Sequence, residues 1–411
     1  MVVDVDICGL KIGDEHPVRL MGAINLSKES FYRGSVVSTD SLLDVAQKMV
    51  DDGATIIDIG ARSTWPLAKP LVSKEEELQR MLPALDILRD NVDALISVDT
   101  VYADVAEGSL EHGADIVNDV SGFIADKRMI DVVADHACPA VVMASREIPG
   151  DPLGMDAIMD SLASIIDRAD SRGLDTDKLI LDPAIGKWVP EKDPIYDFET
   201  MDQFESLKVF CKPLLAAISR KSCIDAVLHK PAGDRLYGSL AATAIVVHKG
   251  AHIIRTHDVP ETRDVVEVAR AMRSRQSFVK ESDFEVSVID ITHPDDAEYL
   301  MKGIGVTGSG ARVMKNKTVS KVIRVKNITT TEALIIKQEM LARGGDAALE
   351  RDAVSHETDK TDVLIIGTLL QFEKLVRKLS YQARKLPLIA ELIAEALEQD
   401  MDVEYRYQRE L

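Results

Sequence analysis

The hydrophobic pattern falls into short apolar runs, most of them followed by a stretch with helical spacing. Residues 3–12 and 18–24 read as β-segments by alternation and Val/Ile content, the second ending at Gly22-Ala23-Ile24-Asn25. Asp40 to Asp52 puts Leu43, Ala46, Met49 and Val50 on one helical face, and Gly53 is the expected stop. The strand Thr55 to Ile59 then runs into Gly60-Ala61-Arg62-Ser63-Thr64. The unit recurs. Ser73 and Glu76 suit a capping box, and strand 94–98 ends in Asp99-Thr100. A helix over 101–112 leads to strand 114–117 and Asn118-Asp119, and a helix over 127–136 leads to strand 139–142 and Met143. A helix over 155–172 precedes strand 179–181 and Asp182-Pro183, and one over 198–210 precedes Leu214 to Ser222. Finally, helix 234–249 leads to 252–254 and Arg255-Thr256-His257-Asp258. The segments GATIID, GADIVND and GAHIIRT form a weak internal repeat in which a helix stop feeds a strand.

Eight strand–helix units within about 275 residues predict a (β/α)8 TIM barrel. Strands apolar on both faces, alternating with amphipathic helices, require a parallel sheet covered by helices. A doubly wound open sheet is the alternative. The barrel is preferred because polar motifs follow nearly every strand, and only a barrel gathers all of them at one face. After Arg275 the texture changes, and the polar SRQSFVKESDFE reads as a linker. The expected division is therefore a barrel over 1–279 and a smaller α+β domain of unknown role over 280–411. In the latter, strands are expected at 284–290, 319–325 and 362–367, and helices at 294–302, 331–342, 369–383 and 387–399. The glycine-rich stretch Gly303 to Gly310 follows no clear strand and reads as a turn before it reads as a phosphate loop.

The 411 residues are 46% hydrophobic, enough for a substantial core, and the formal charge of −20 argues against a nucleic-acid or anionic-membrane partner. The N-terminus lacks a signal-peptide apolar run, and no stretch has the length of a membrane span. Cys8, Cys138, Cys211 and Cys223 share no metal-type spacing and read as reduced thiols, which implies the cytoplasm.

Against this acidic background the cationic strand end Ser219-Arg220-Lys221-Ser222 stands out as a cluster of donors for an anionic or carbonyl-rich ligand. A barrel would collect it with Asn25, Thr64, Asp99, Asn118, Met143, Asp182, Arg255 and His257. Two carboxylates and an amide can pair with the N–H groups of a heterocycle, and a lysine can meet its carbonyl. Arg255, His257 and Asn25 can hold an anion and, through water, a Mg²⁺ ion. Bland roles are open for several of these. Asn118 could cap a turn, Met143 could fill core, and His257 could be structural. Asp258, with Pro260 and Glu261, reads as a helix capping box. Thr100 and Ser121 read as local backbone acceptors. Lys221, Asp99 and Asp182 resist such readings, because charges directly after buried strands are costly unless used.

The stretch MGAINLSKESF from Met21 resembles the first loop of the dihydropteroate synthase family. ISVDT, IVNDVSG, LDPAIG, ISRKS and IIRTHDV resemble its later motifs in the same order, over about residues 18–265. The resemblance implies a barrel enzyme that joins 6-hydroxymethyl-7,8-dihydropterin diphosphate to an aryl amine and releases diphosphate, with Mg²⁺ as cofactor and a homodimer as assembly. It implies Lys221, Asp99 and Asp182 as catalytic groups, and Asp99, Asn118, Met143, Asp182 and Lys221 around the pterin. Asn25, Arg255 and His257 would hold diphosphate, with Asn25 also on the metal. Thr64, Ser222, Arg62 and Trp65 would lie near the aryl amine.

The loops depart from the family pattern. Arg62-Ser63-Thr64-Trp65-Pro66 stands where Glu-Ser-Thr-Arg-Pro is usual. Lys28-Glu29 and Tyr32-Arg33 stand where Pro-Asp and Ser-Asp are usual, and Lys187-Trp188 replaces a Gly/Phe-rich turn. These changes resemble the archaeal branch, linked to tetrahydromethanopterin, whose aryl amine is a ribofuranosyl-aminobenzene phosphate. Arg33, Arg62 and Lys187 could meet that phosphate, whereas an ordinary folate-pathway enzyme would take p-aminobenzoate. A pterin-dependent methyltransferase on the same barrel would not need the diphosphate cations. A non-catalytic pterin-binding protein is the other alternative.

Overall fold

Strands that are apolar on both faces need cover on both, and the chain supplies it by alternating them with helices. The structure is a computed structural model that describes residues 3–26, 39–62, 72–273, 278–282, 284–354 and 357–401. It opens with an antiparallel hairpin of β1 (Asp4–Ile7) and β2 (Leu10–Gly13), turned at Cys8 and Gly9, both with positive φ. The single β-segment expected over 3–12 is therefore two strands.

The alternating series follows as β3 (Arg19–Asn25), α1 (Thr39–Asp51), β4 (Ile56–Gly60), α2 (Lys74–Arg89), β5 (Leu95–Asp99) and α3 (Ala103–Glu111). It continues with β6 (Ile116–Asp119), α4 (Met129–Asp135), β7 (Ala140–Met143), α5 (Met155–Ser171), β8 (Leu179–Asp182) and α6 (Pro194–Asp202). It ends with β9 (Leu215–Ala216), α7 (Ser222–Leu228), α8 (Leu236–Lys249), β10 (Ile253–Thr256) and α9 (Val259–Met272). Neighbours from β3 to β8 pair in parallel in chain order, and β10 pairs in parallel with both β3 and β9. The Leu181 N–H donates to the Pro213 carbonyl at 2.9 Å and closes the ring between β8 and β9. This is the expected (β/α)8 barrel.

The helix expected over 198–210 is two pieces. Asp193 caps α6 by accepting from the Ile195 N–H, with Pro194 in the first turn, and Phe204–Phe210 is a separate 3-10 segment. The repeat glycines Gly53, Gly113 and Gly250 all have positive φ, which explains why each stops a helix before a strand. At the N-terminal end of the strands, Met21, Ile56, Ile116, Val141, Ile180, Leu215 and Ile253 form one buried cluster with Ile7 and Ile12 of the hairpin. The hairpin thus plugs that mouth with apolar side chains.

By internal contacts the chain divides into two compact units, Met1–Val288 and Ile289–Glu410. The stretch expected to be a linker includes an antiparallel hairpin, β11 (Phe278–Glu281) and β12 (Phe284–Ser287), which goes with the first unit. The second unit begins with α10 (Pro294–Gly303) and α11 (Gly308–Met314). Of the glycine-rich stretch only residues 304–307 form the turn: Gly303 ends α10, Gly308–Gly310 open α11, and Thr307 caps α11. Then come β13 (Ser320–Thr329), α12 (Thr330–Leu341), β14 (Asp346–Leu349), α13 (Arg351–Val354), β15 (Lys360–Thr368), α14 (Leu369–Leu379) and α15 (Leu386–Met401). The sheet order is β13-β15-β14, with β15 antiparallel to both neighbours. Val363 and Ile365 of the sheet pack with Ile336, Met340, Phe372, Leu375 and Ile389 of the helices as one core. The short β14 and α11 were not expected from sequence. Neither is long enough to show a period.

Candidate active site

A side chain on a strand points inward every second residue. That rule takes most barrel strands from an apolar lower position to a polar upper one, β7 with its Met143 being an exception. Asn25, Gly60, Asp99 and Asn118 lie in register across β3 to β6, and Met143 lies in register with Asp182 across β7 and β8. One step deeper, Asp58 is level with Ser97.

Asp58 is the centre of this upper layer. It is fully buried and accepts from Ser97 Oγ at 2.6 Å, from Asn118 Nδ2 at 3.2 and 3.3 Å, and from Arg255 Nε at 2.7 Å. Arg255 Nη2 donates to Asp99 at 3.1 Å. One guanidinium therefore bridges two carboxylates, and burial of each charge is compensated by its partners. Asp99 Oδ1 is buried and has no hydrogen-bond partner among the described residues. The sequence reading listed strand ends and so passed over Asp58. Its signal was there: a carboxylate in the middle of Ile56-Ile57-Asp58-Ile59.

Burial sets the protonation states. It pushes the Asp99 carboxyl up to about 7. Arg255 opposes this, and the nearby Asp58 and Glu77 charges add to it. Asp182 is also raised by burial, and its Oδ1 accepts from the Ala184 N–H at 2.8 Å. Lys221 is lowered by burial, with the Asp182 charge opposing and Arg255 adding to the effect. His257 is pushed down to about 4 by burial and by the Arg255 charge, so it is a neutral imidazole near pH 7. Its Nδ1 lies 3.1 Å from Ser219 Oγ.

The strand end at 219–222 is not the uniform donor cluster that its sequence suggested. Arg220 turns away, with positive φ, and donates to Asp258 through Nε at 3.0 Å and Nη2 at 2.6 Å. It also donates to the carbonyls of Ala232 and Gly233. Asp258 is accordingly structural, but as an ion-pair partner and not as a capping box: its side chain makes no cap bond to α9. Lys221 is the residue before α7, and Ser222 is that helix's first residue. Thr100 and Ser121 do accept from backbone N–H groups, those of Tyr102 and Ala125.

Among the residues expected near the aryl amine, Thr64 and Trp65 lie outside the described residues, as does Arg33. Arg62 donates to Tyr102 Oη at 2.8 Å, lies over that ring, and sits 3.9 Å from the buried Glu77. Asn25 ends β3 and Met143 ends β7, the latter buried. Lys187 is exposed in the loop after β8. The structure thus brings Asp99, Asn118, Asp182, Lys221, Met143, Asn25, Arg255 and His257 to the C-terminal ends of the strands. Chemically this is a slot with buried acceptors, two amides and one ammonium, suited to a flat heterocycle that carries N–H donors and a carbonyl.

Residues 21–257 match the family described as pterin binding enzyme. The chain belongs to that family. A dihydropteroate synthase of Clostridium beijerinckii is 36% identical over 247 residues, covering 59% of this chain and 89% of that protein. A probable bifunctional folylpolyglutamate synthase/dihydropteroate synthase of Haloferax volcanii is 34% identical over 284 residues, 66% of this chain but 33% of the relative. The chain therefore spans only a third of that longer protein. Among solved structures, the Yersinia pestis dihydropteroate synthase with a sulfonamide drug complex superposes with a TM-score of 0.61 and 32% identity, covering 66% of this chain and 98% of that one. The Coxiella burnetii dihydropteroate synthase in complex with pteroic acid gives 0.59 and 32%, over 67% and 99%.

Proposed function

We propose that the barrel is a transferase of the dihydropteroate synthase type, condensing 6-hydroxymethyl-7,8-dihydropterin diphosphate with an aryl amine and releasing diphosphate. The observation that carries this reading is the inward set Asp99, Asn118, Asp182 and Lys221, in which Arg255 and Asp58 tie Asp99 to Asn118. Asp99 and Asp182 accept the N–H groups of the pterin, Lys221 meets its carbonyl side, and Met143 packs on the ring. Diphosphate leaves as its growing charge is neutralised, and the two carboxylates favour the cation left on the pterin methylene. The amine is neutral at pH 7 and needs positioning more than a general base. His257, neutral there, contributes a hydrogen bond to the diphosphate and not a charge.

Mg²⁺ fits in a limited sense. Asn25 offers one hard oxygen at the end of β3, while Asp58 and Asp99 are engaged by Arg255. Asn25 would hold the ion together with substrate diphosphate and water, and the ion would supply charge neutralisation for the leaving group.

For the second substrate, the ribofuranosyl-aminobenzene phosphate is preferred over p-aminobenzoate. The altered loops support this. Lys187 is exposed in the loop after β8, and Arg62 is held at the root of its loop by Tyr102; the sequence assigns Thr64, Trp65, Ser222 and Arg62 to the amine side. A homodimer fits the exposed Tyr237 and Ile245 of α8 and Val268 and Met272 of α9. The cytoplasm fits the four free thiols, and no helix among the described residues is long and apolar enough to cross a membrane. The unit beyond Val288 is an assembly or partner module without chemistry of its own. The relatives above are synthases, which favours this reading over a pterin-dependent methyltransferase or a pterin-binding protein without catalysis.

The test is diphosphate release with the pterin diphosphate and each amine in competition. Release with both, and a higher kcat/KM for the phosphorylated amine that falls in Lys187→Ala, is the expected result. No release with either amine would sink the transferase reading. A higher kcat/KM for p-aminobenzoate, indifferent to Lys187→Ala, would leave an ordinary folate-pathway enzyme.

A further inference from the structure

The loop after β8 departs from the family pattern at Lys187-Trp188, and the indole of Trp188 has a definite place. Lys221 Nζ lies 5.2 Å from the centre of its ring, within cation–π range. On another side the lysine runs close to the Cα of Gly186, where an added Cβ would sit 2.9 Å from Lys221 Cδ and 3.1 Å from Nζ. Gly186 has positive φ, and its N–H donates to the buried Asp197 at 2.8 Å. Asp197 also faces the fully buried Lys192 at 3.4 Å, and Lys192 holds the Ala184 carbonyl at 2.6 Å. The loop is thus fixed internally on both sides of Trp188.

The indole is also fixed from outside. A Cβ at Gly150 would lie 2.2 Å from Trp188 Cγ, so the loop after β7 rests directly on the ring. That loop is itself pinned. Ser145 Oγ accepts from the Gly150 N–H and donates to the Val120 carbonyl, both at 3.0 Å, and Asp151 accepts from the N–H groups of Arg146 and Glu147. The Trp188 indole N–H is buried with no hydrogen-bond partner among the described residues. Packing and the lysine, not a hydrogen bond, place this ring.

The geometry points to Trp188 as a positioning residue of this chain: with Gly186 it forms a slot that aims the Lys221 ammonium into the pterin site and keeps water from it. This rests on the transferase reading for its kinetic consequence, but the slot can be tested without catalysis. The other charged or titratable groups facing Lys221 are Asp182 on β8, Arg255 and His257 on β10, Asp197 on α6 and the Cys223 thiol on α7. Burial holds that thiol far above its ordinary range, and Arg255 is raised by its carboxylate partners despite burial, so neither competes with the lysine at moderately alkaline pH.

The chain has two tryptophans, so Trp65→Phe leaves Trp188 as the single indole reporter. In that background, Trp188 emission is followed without ligand from neutral to strongly alkaline pH. We expect an emission step as the ammonium over the ring loses its proton, absent when Lys221→Met is added. In parallel, Trp188→Leu is expected to lower kcat/KM for the pterin diphosphate about tenfold, whereas Trp188→Phe keeps it within about threefold, since a phenyl face also attracts a cation. Emission indifferent to Lys221→Met would overturn the slot, even in an inactive protein. So would equal losses in the Leu and Phe variants, because a purely space-filling role does not depend on an aromatic face. An inactive wild-type protein that still shows the lysine-dependent step would support the slot and count only against the transferase reading.

Discussion

The two ends of the barrel are made by the same strands under the same alternation, yet they are opposites. The lower ring of Met21, Ile56, Ile116, Val141, Ile180, Leu215 and Ile253 is apolar and plugged by Ile7 and Ile12. Two to four residues further along each strand, the inward positions hold Asp58, Asp99, Asn118, Asp182 and Arg255. The lower ring is stabilised by area removed from water and tolerates any shape that fills it. The upper ring is stable only because its charges satisfy one another, so each member depends on the rest. Stability is concentrated at one end, and chemistry is tolerated at the other because of it.

The sharpest way to break the comparison is Asp58→Ala. It leaves Arg255 buried with one carboxylate and frees the amide of Asn118. Removing one partner of a buried pair costs about 3–5 kcal/mol. Both the denaturation midpoint and diphosphate release should fall, release by roughly a hundredfold or more. An active, fully stable variant would show that the upper ring does not hang on Asp58.

Ile12→Ala in the plug should separate the two ends. It should cost roughly 3 kcal/mol in denaturant unfolding. Turnover per folded molecule should be unchanged, and a drop in kcat/KM would mean the lower ring shapes the site. Lys221→Ala is the mirror image. It should leave unfolding nearly unchanged and remove a charge-assisted contact worth about 1.5–3 kcal/mol, roughly ten- to a hundredfold in pterin affinity or rate. Unchanged turnover would remove Lys221 from the site.

The smallest effect is in pH. Asp99 is held up at about 7 in the folded chain, so folding favours its protonated form. Its favourable contribution is present below the ordinary carboxylate range and is lost as pH rises through that range to about 7. A ligand offering N–H groups prefers the carboxylate, so pterin affinity should move the opposite way and strengthen a few-fold as pH rises through about 7. Denaturant unfolding and calorimetric ligand titration, each at several pH values, read the two trends. A flat profile in the wild type, or one that survives in Asp99→Asn, would assign the effect elsewhere.

The barrel was legible because short continuous apolar runs and period-3.6 runs alternate for most of the first 270 residues. Strand ends drew attention to Asp99, Asn118, Asp182 and Arg255, since polar residues stopping apolar runs are visible without any fold. Asp58 was less visible because it interrupts a strand and does not end it, and only the inward alternation gives it a reason to be there. The partner of Arg220 was also hidden. Asp258 lies 38 residues away, and a local capping box explained it well enough on sequence alone. Thr64, Trp65 and Arg33 stand outside the described residues, so their part rests on the sequence.

The seam between β8 and β9 has a further consequence. β9 has only two residues, and its junction with β8 rests on the Leu181 N–H and the Pro213 carbonyl, with Pro213 offering no N–H in return. The Leu214 N–H is taken by an imidazole, His252 Nδ1, at 3.1 Å, and not by a strand carbonyl. A ring fastened this way has a clasp. Amide hydrogens on either side of it should exchange with deuterium earlier than those of β4 and β5, whose ladder is continuous. Burial holds His252 neutral, so acid that forces a proton onto it takes away the acceptor and loosens the clasp first. The segment released there leads directly into Lys221. The barrel would therefore lose its grip on the pterin before it lost its shape.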